Sequence, residues 1–325
     1  MNAKSHLASP NRFYKVWVFV LSICLASPYL LTPCSAKTLQ VKFLFSFGKR
    51  GEQPGEFSFP AGISSDPNGN IYVADTGNNR IQKFDAKGKL LTFIGGFGWK
   101  SEQFQQPVHL TATNGLDIFV ADYENERVER YDKDLNWIGS VYANPGLEER
   151  LRFGFPRSVS ASIHGDLFIV DGENKRILKF NAQRQPEMSF GDYDWGEGAL
   201  TEPARLFVTK EDRIYVTDTG AERIVFYDYY GNFLGFVGEK LLNKPHGICV
   251  DQQGWIFVTD RSKNQILVFD SRGELLVTCG APGDKLGAFN NPSDIAVVRN
   301  LFYVADTDNH RIQVFEIDPV NSDKN

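Results

Sequence analysis

From about residue 42 onward the chain is built of short runs that alternate apolar and polar residues, broken by Gly, Asp, Asn and Pro. Period-two alternation bounded by turn residues predicts β-strands joined by tight turns, and helical spacing nowhere prevails. One run recurs six times: NIYVADT (70–76), DIFVADY (117–123), DLFIVDG (166–172), RIYVTDT (213–219), WIFVTDR (255–261) and LFYVADT (301–307). Each holds an aspartate at the same place, Asp75, Asp122, Asp171, Asp218, Asp260 and Asp306, at spacings of 47, 49, 47, 42 and 46 residues. A period of about 40–50 residues is that of propeller blades and longer than that of helical-hairpin repeats.

The rest of the unit repeats with it. After each aspartate a basic or amide residue opens another run: RIQKFD, RVERYD, RILKFN, RIVFYD, QILVFD and RIQVFE. A turn leads to a third run, as in GKLLTFIG, GNFLGFVG and GELLVTCG, then to a Gly-rich loop ending at a proline. That proline starts a short strand: PAGISSD, PVHLTAT, PRSVSAS, PARLFVT, PHGICVD or PSDIAVV. Four strands per unit and six units predict an all-β fold, a six-bladed β-propeller of four-stranded antiparallel blades filling residues 37–318. The sixth unit lacks its fourth strand, and the chain begins with an unpartnered one, KFLFSFG (42–48). An unpaired edge is a liability. The expectation is that this N-terminal strand completes the last blade and closes the ring.

The run P-x-G-I-x-V-D, then I-Y-V-A-D-T-x-N-x-R-I-Q-x-F-D, resembles the NHL repeat, most closely in ADTGNNRIQKFD of the first unit and ADTDNHRIQVFE of the last. The resemblance spans about residues 42–318 and points to an exported, bacterial member of the NHL-repeat propellers. It implies the fold strongly and the function weakly, because such propellers include protein-binding sensors, RNA-binding domains and an enzyme class.

Export is read from the first residues. Lys4, Arg12 and Lys15 precede the apolar run Val16–Ala26, and small residues follow, as in a secretory signal peptide cleaved after Ala36. The alternative is a retained anchor, although Pro28 interrupts the apolar run before the ~18–20 residues needed to span a bilayer. A lipid-anchored cysteine, Cys24 or Cys34, is a third option. The last residues, 319–325, read as a disordered tail. Loss of the leader takes the formal charge from −5 to −8. An acidic, exported chain is a poor partner for nucleic acid, and a periplasmic or secreted monomer is expected. Cys249 and Cys279 fall on the first and fourth strands of one blade, about 14 Å apart at ~4.8 Å per strand. That is beyond disulfide reach, so both are expected to be free thiols.

The six aspartates invite a metal or catalytic role. A polar pair recurring in every blade instead reads as structural: five residues beyond the aspartate stand Arg80, Arg127, Arg176, Arg223 and Arg311, with Gln265 in the fifth unit. Chemistry should break the symmetry. The first two positions after each proline, expected to rim the channel mouth, are mostly small. Against that background His109, Arg157, Arg205, His246 and Asp294 stand out. They predict a cationic mouth for a protein, peptide or small anionic ligand, with Arg157 and Arg205 as carboxylate or phosphate forks. The bland alternative is a solvated rim. The inter-blade loops add Trp99, Tyr142 and Trp195 as candidate interface aromatics.

The non-catalytic reading needs no cofactor. The enzyme reading stays open: the resemblance extends to peptide-amidating lyases, which imply a metal-dependent lyase or hydrolase with zinc or calcium, His109 and His246 matching two zinc-ligand positions. A third ligand would have to be Asp294, which departs from that pattern. RNA binding is the lesser alternative.

Overall fold

The structure, a computed structural model, describes residues 39–319. Within them six four-stranded antiparallel sheets follow one another along the chain. In each blade the strand opened by the proline lies innermost. The strand ending in the repeated aspartate, the strand opened by Arg or Gln and the glycine-ended strand follow outward in sequence order. Both remaining cysteines are free thiols, Cys249 buried on the innermost strand of blade 5 and Cys279 on its outermost.

The last blade is completed by the first strand. Leu39–Phe47 pairs antiparallel with Arg311–Pro319, from Leu39 opposite Pro319 to Phe47 opposite Ile312. The pairing begins three residues earlier than the KFLFSFG run suggests, and its partner includes Pro319, the first residue expected in the tail. A bulge between Phe43 and Phe45 turns the strand so that it serves two blades. Phe43 meets Phe315 of blade 6 at 5.6 Å, whereas Phe47 lies 5.0 Å from Phe84 and 6.4 Å from Phe57 of blade 1. The expected leader, 1–36, and residues 320–325 lie outside the described residues.

The core sits between blades rather than at the axis. Tyr72, Ala74 and Ile81 of blade 1 pack against Phe104, Leu110, Ile118, Val120 and Tyr131 of blade 2, all buried. Equivalent clusters fill the other junctions. Both faces of each middle strand are therefore buried, which explains fully buried runs such as IYVAD (71–75). We call the face where the inner strands begin the upper face and the other the lower face.

Candidate functional site

The repeated aspartates are fully buried at the upper end of each blade. Asp75 accepts the Ser58 backbone N–H at 2.7 Å, Arg80 Nε at 2.6 Å and Asn78 Nδ2 at 2.9 Å. Burial holds Asp75, Asp122 and Asp306 above the usual carboxylate range in spite of these donors. The arginine does more than pair. Arg80 also donates to the carbonyls of Glu52, Gln53 and Glu56, and Arg127 to those of Trp99, Lys100 and Gln103. Arg176 and Arg311 repeat the pattern on Glu149 and Arg152, and on Lys285 and Ala288. Each is a clamp that fastens the preceding inter-blade loop to a buried carboxylate.

Two blades depart from this. Arg223 of blade 4 does not pair with Asp218. Its guanidinium lies 3.6 Å from the centre of the Phe236 ring and approaches Glu239, while Asp218 accepts backbone N–H groups of Thr201, Glu202 and Ala221. The expected Asp–Arg pair is thus absent there, and Ala221 stands where Asn78, Asn125, Asn174 and Asn309 donate to the aspartate in the clamped blades. Blade 5 has Gln265, and Asp260 is satisfied by the N–H groups of Asn243, Lys244, Ser262 and Lys263.

The inner strands pose a separate problem, since each has one edge unpaired within its own sheet. Side chains of the neighbouring blade satisfy it. Asp294 Oδ2 accepts the Ile63 N–H at 2.8 Å, His109 Nδ1 that of Val159 at 3.2 Å and Ser158 Oγ that of Leu206 at 3.1 Å. The equivalent positions in blades 1 and 5 are Gly62 and Gly247. A Cβ there would lie 2.8 Å from His109 Cα and 2.4 Å from Asp294 Cα, so only glycine permits the approach. In blades 1, 2, 4 and 6 the register slips between the proline and the residue two places on. Such a bulge re-aims the following side chain.

That slip decides where the candidate mouth residues lie. His109, Arg205 and Asp294 are buried inside the channel. Arg205 reaches across the axis from blade 4 and donates to the carbonyls of Arg157 and Val108 at 2.8 Å each and of Ala61 at 3.4 Å. His109 Nε2 lies 3.7 Å from Asp294 Oδ2. With Nδ1 accepting a backbone N–H, the His109 proton sits on Nε2. Burial pushes the Asp294 carboxyl up to about 7, partly offset by Arg205. Burial and the Arg205 charge hold His109 and His246 well below the ordinary histidine value. Arg157 pairs with Glu202, which also meets Lys175 at 3.3 Å. Arg205 is spent on backbone carbonyls and Arg157 Nη1 on Glu202. His246 remains near the upper surface, its Nδ1 donating to the Ser293 carbonyl at 2.6 Å.

Two cavities result. A cavity of about 960 Å³ opens on the lower face and reaches up to His109 and Asp294, with Ser64, Ser160, Phe207 and Cys249 on its walls. A pocket of about 430 Å³ lies on the upper face among blades 4, 5 and 6, lined by Thr219, Lys244, His246, Arg261, Ser262 and Asn291. Sequence comparison at the prolines found only His246 of this set. The position just after each repeated aspartate reads Thr76, Tyr123, Gly172, Thr219, Arg261 and Thr307, and aligning it would have exposed Arg261.

A three-ligand zinc site does not fit these residues. Nδ1 of both His109 and His246 is engaged by backbone, and among the described residues no three His, Cys, Asp or Glu side chains gather to hold a metal. Of the loop aromatics, Trp99 and Tyr142 are 76% and 55% exposed and lie around one clamp, Arg127, which donates to the Trp99 carbonyl and, at 3.4 Å, to the Tyr142 hydroxyl. Trp195 is 37% exposed, with Nε1 bonded to the Gly231 carbonyl and its ring against Phe190. It therefore serves mainly to pack its loop. Sequence reasoning missed Tyr193, 85% exposed on the same loop.

Residues 57–84, 242–269 and 289–315 match the NHL repeat family. These three stretches fall in blades 1, 5 and 6. Among curated proteins, the B-box type zinc finger protein ncl-1 of Caenorhabditis elegans is 37% identical over 62 residues. The match covers 18% of this chain and only 7% of that protein. Among solved structures, a protein of unknown function from Bacteroides thetaiotaomicron superposes with a TM-score of 0.66 at 17% identity, over 86% of this chain and 76% of that one. Virginiamycin B lyase from Staphylococcus aureus superposes at 0.58 with 13% identity, over 86% of this chain and 98% of that one. At such identities these structures bear on the fold alone.

Proposed function

We propose that this NHL propeller is an exported, non-catalytic scaffold, periplasmic or secreted and monomeric, that binds a protein, peptide or small anionic ligand on its upper face. The observation that carries the reading is that exposed Trp99, on a loop, and exposed Tyr142, at the end of an outer strand, are both fastened by the buried Arg127. Large aromatics held on a rigid base lose little entropy on binding and serve as anchors. The test is affinity capture from the exported fraction with the immobilised mature chain. Wild type and a Leu116→Ala control should retain the same partner, and Trp99→Ala/Tyr142→Ala should lose it. Equal capture by all three, or none by wild type, overturns the loop reading.

The competing reading is a metal-dependent lyase or hydrolase. It draws on His109 and Asp294 at the end of the lower cavity and on the resemblance of the fold to a lyase. Metal analysis separates the two: stoichiometric zinc or calcium, lost in His109→Ala, favours the enzyme. RNA binding is disfavoured by the acidic balance of the chain.

A further inference from the structure

The pocket among blades 4, 5 and 6 lies where the repeat is broken three times over. Blade 4 has lost its clamp to Phe236, blade 5 has no arginine at the clamp position, and Arg261 stands where the other blades carry Thr, Tyr or Gly. The short loop before Pro245 accompanies these changes and places Lys244 on the pocket wall.

The charge in this pocket is one-sided. Arg261 Nε donates to Asn291 Oδ1, whose own amide nitrogen is held at 3.3 Å by Asp308. Arg261 Nη1 and Nη2 have no hydrogen-bond partner, and it forms no ion pair, among the described residues. Burial pulls Arg261 below its ordinary value and the Asp308 charge only partly offsets this. His246 beside it feels Arg205 and Arg261 as repulsive charges. The pocket thus presents a forked donor, an exposed ammonium, the hydroxyl of Ser262 and an imidazole edge, and none of its six lining residues is acidic. A half-buried guanidinium whose counter-charge, Asp308, forms no ion pair with it is poised for a planar or tetrahedral oxyanion, which it meets with the N–H donors of Nη1 and Nη2.

We propose that this pocket is an oxyanion site, taking a carboxylate or phosphate group between the Arg261 fork and the Lys244 ammonium. The assignment deepens the reading of the upper face as the binding face and rests on it. Thr219 is not a free donor, since its hydroxyl is given to the Pro245 carbonyl. His246 gives its Nδ1–H to the Ser293 carbonyl and forms part of the wall, so the anion is held by Arg261 and Lys244.

The test is titration calorimetry of the full mature chain with inorganic phosphate and, separately, with acetate, at fixed ionic strength. Binding by either probe is expected, and the stronger of the two identifies the ligand's acid group. Arg261→Ala should weaken binding about tenfold or more, the loss of a charge-assisted bidentate contact. Lys244→Glu, an exposed change with no folding cost, should abolish it. Arg157→Ala, whose charge is already spent on Glu202, should leave it unchanged. Failure of both probes on wild type, or unaltered binding in Lys244→Glu and Arg261→Ala, overturns the site. Because no partner is needed, intact phosphate binding alongside failed partner capture would overturn the aromatic-loop reading alone.

Discussion

Blades 1, 2, 3 and 6 on one side, and blades 4 and 5 on the other, use the same strands and the same buried aspartate in different ways. In the first group an arginine joins the aspartate to two or three carbonyls of the loop before it, so loop and blade are one rigid piece. In the second group the aspartate spends its oxygens on backbone N–H groups and no guanidinium crosses to the loop. The lesson is that the repeated polar residues are structural, whereas the sector that abandons them is where unpaired cations collect. A propeller that must place unlike groups around one ligand has to surrender its repeat somewhere, and the proposed oxyanion site lies where this chain does so.

The largest expected effect concerns what both groups share, the closed ring. A chain starting at Gly48 loses the strand Leu39–Phe47 and with it the packing of Phe43 and Phe47 in two blades. At roughly 2 kcal/mol for each Phe removed from its contacts, besides the lost pairing, destabilisation should exceed about 4 kcal/mol. A thermal melt matching that of the mature chain would refute ring closure.

The second prediction sets the two groups against each other. Arg127→Ala strands Asp122 and Glu129, both fully buried, and should cost about 3–5 kcal/mol in denaturant unfolding. Arg223→Ala removes a ring contact and a pair with the exposed Glu239 and should cost about 1 kcal/mol. Equal losses would erase the distinction between clamped and unclamped blades.

Next is the channel. The Asp294 carboxyl, held at about 7 in the folded state against ~3.9 unfolded, keeps its proton where the unfolded chain has released it. Its contribution to stability is therefore present at low pH and lost as pH rises from about 4 to 7. Asp294→Asn should keep the bond to Ile63 and abolish that loss, so that melts of variant and wild type diverge by a few kcal/mol toward pH 8. A difference independent of pH contradicts the assignment. The depressed histidines His109 and His246 have the opposite sign, costing stability below about 6.5. The Asn substitution isolates the carboxyl because both histidines remain in each protein. The smallest effect is that of Trp99→Ala, which should change stability by less than about 0.5 kcal/mol because the side chain is exposed.

Much of this architecture was legible in the chain. The recurring Asp at a blade-length period, the proline before each inner strand and the orphan run at the start together specify six blades and the strand that closes them. The structural role of the aspartates was legible too, since one pair repeated in every blade cannot be one site. What could not be read was local geometry across blades. Arg223 stands two residues after Ala221, where the clamped blades carry Asn78, Asn125, Asn174 and Asn309 that brace the aspartate, and in the structure it lies over Phe236 instead. His109, Arg205 and Asp294 stand at the expected positions, but a register slip after the proline turns them into the channel, where they satisfy the free edges of neighbouring strands. Arg261 breaks the repeat at the residue after the aspartate, not at the positions after the prolines where the other candidates stand.

The central claim, that clamped loops are fixed structure and the unclamped sector is the binding site, is tested most directly by amide hydrogen exchange with and without saturating phosphate. The account predicts that the clamped loops at 49–57, 97–104 and 283–289 exchange slowly in both states. It predicts that the blade 5 loop at 239–244 and the turn at 261–264, whose amides rest on Asp260, slow markedly when phosphate is added. Phosphate protection appearing at the clamped loops, or no response in blade 5, would contradict it.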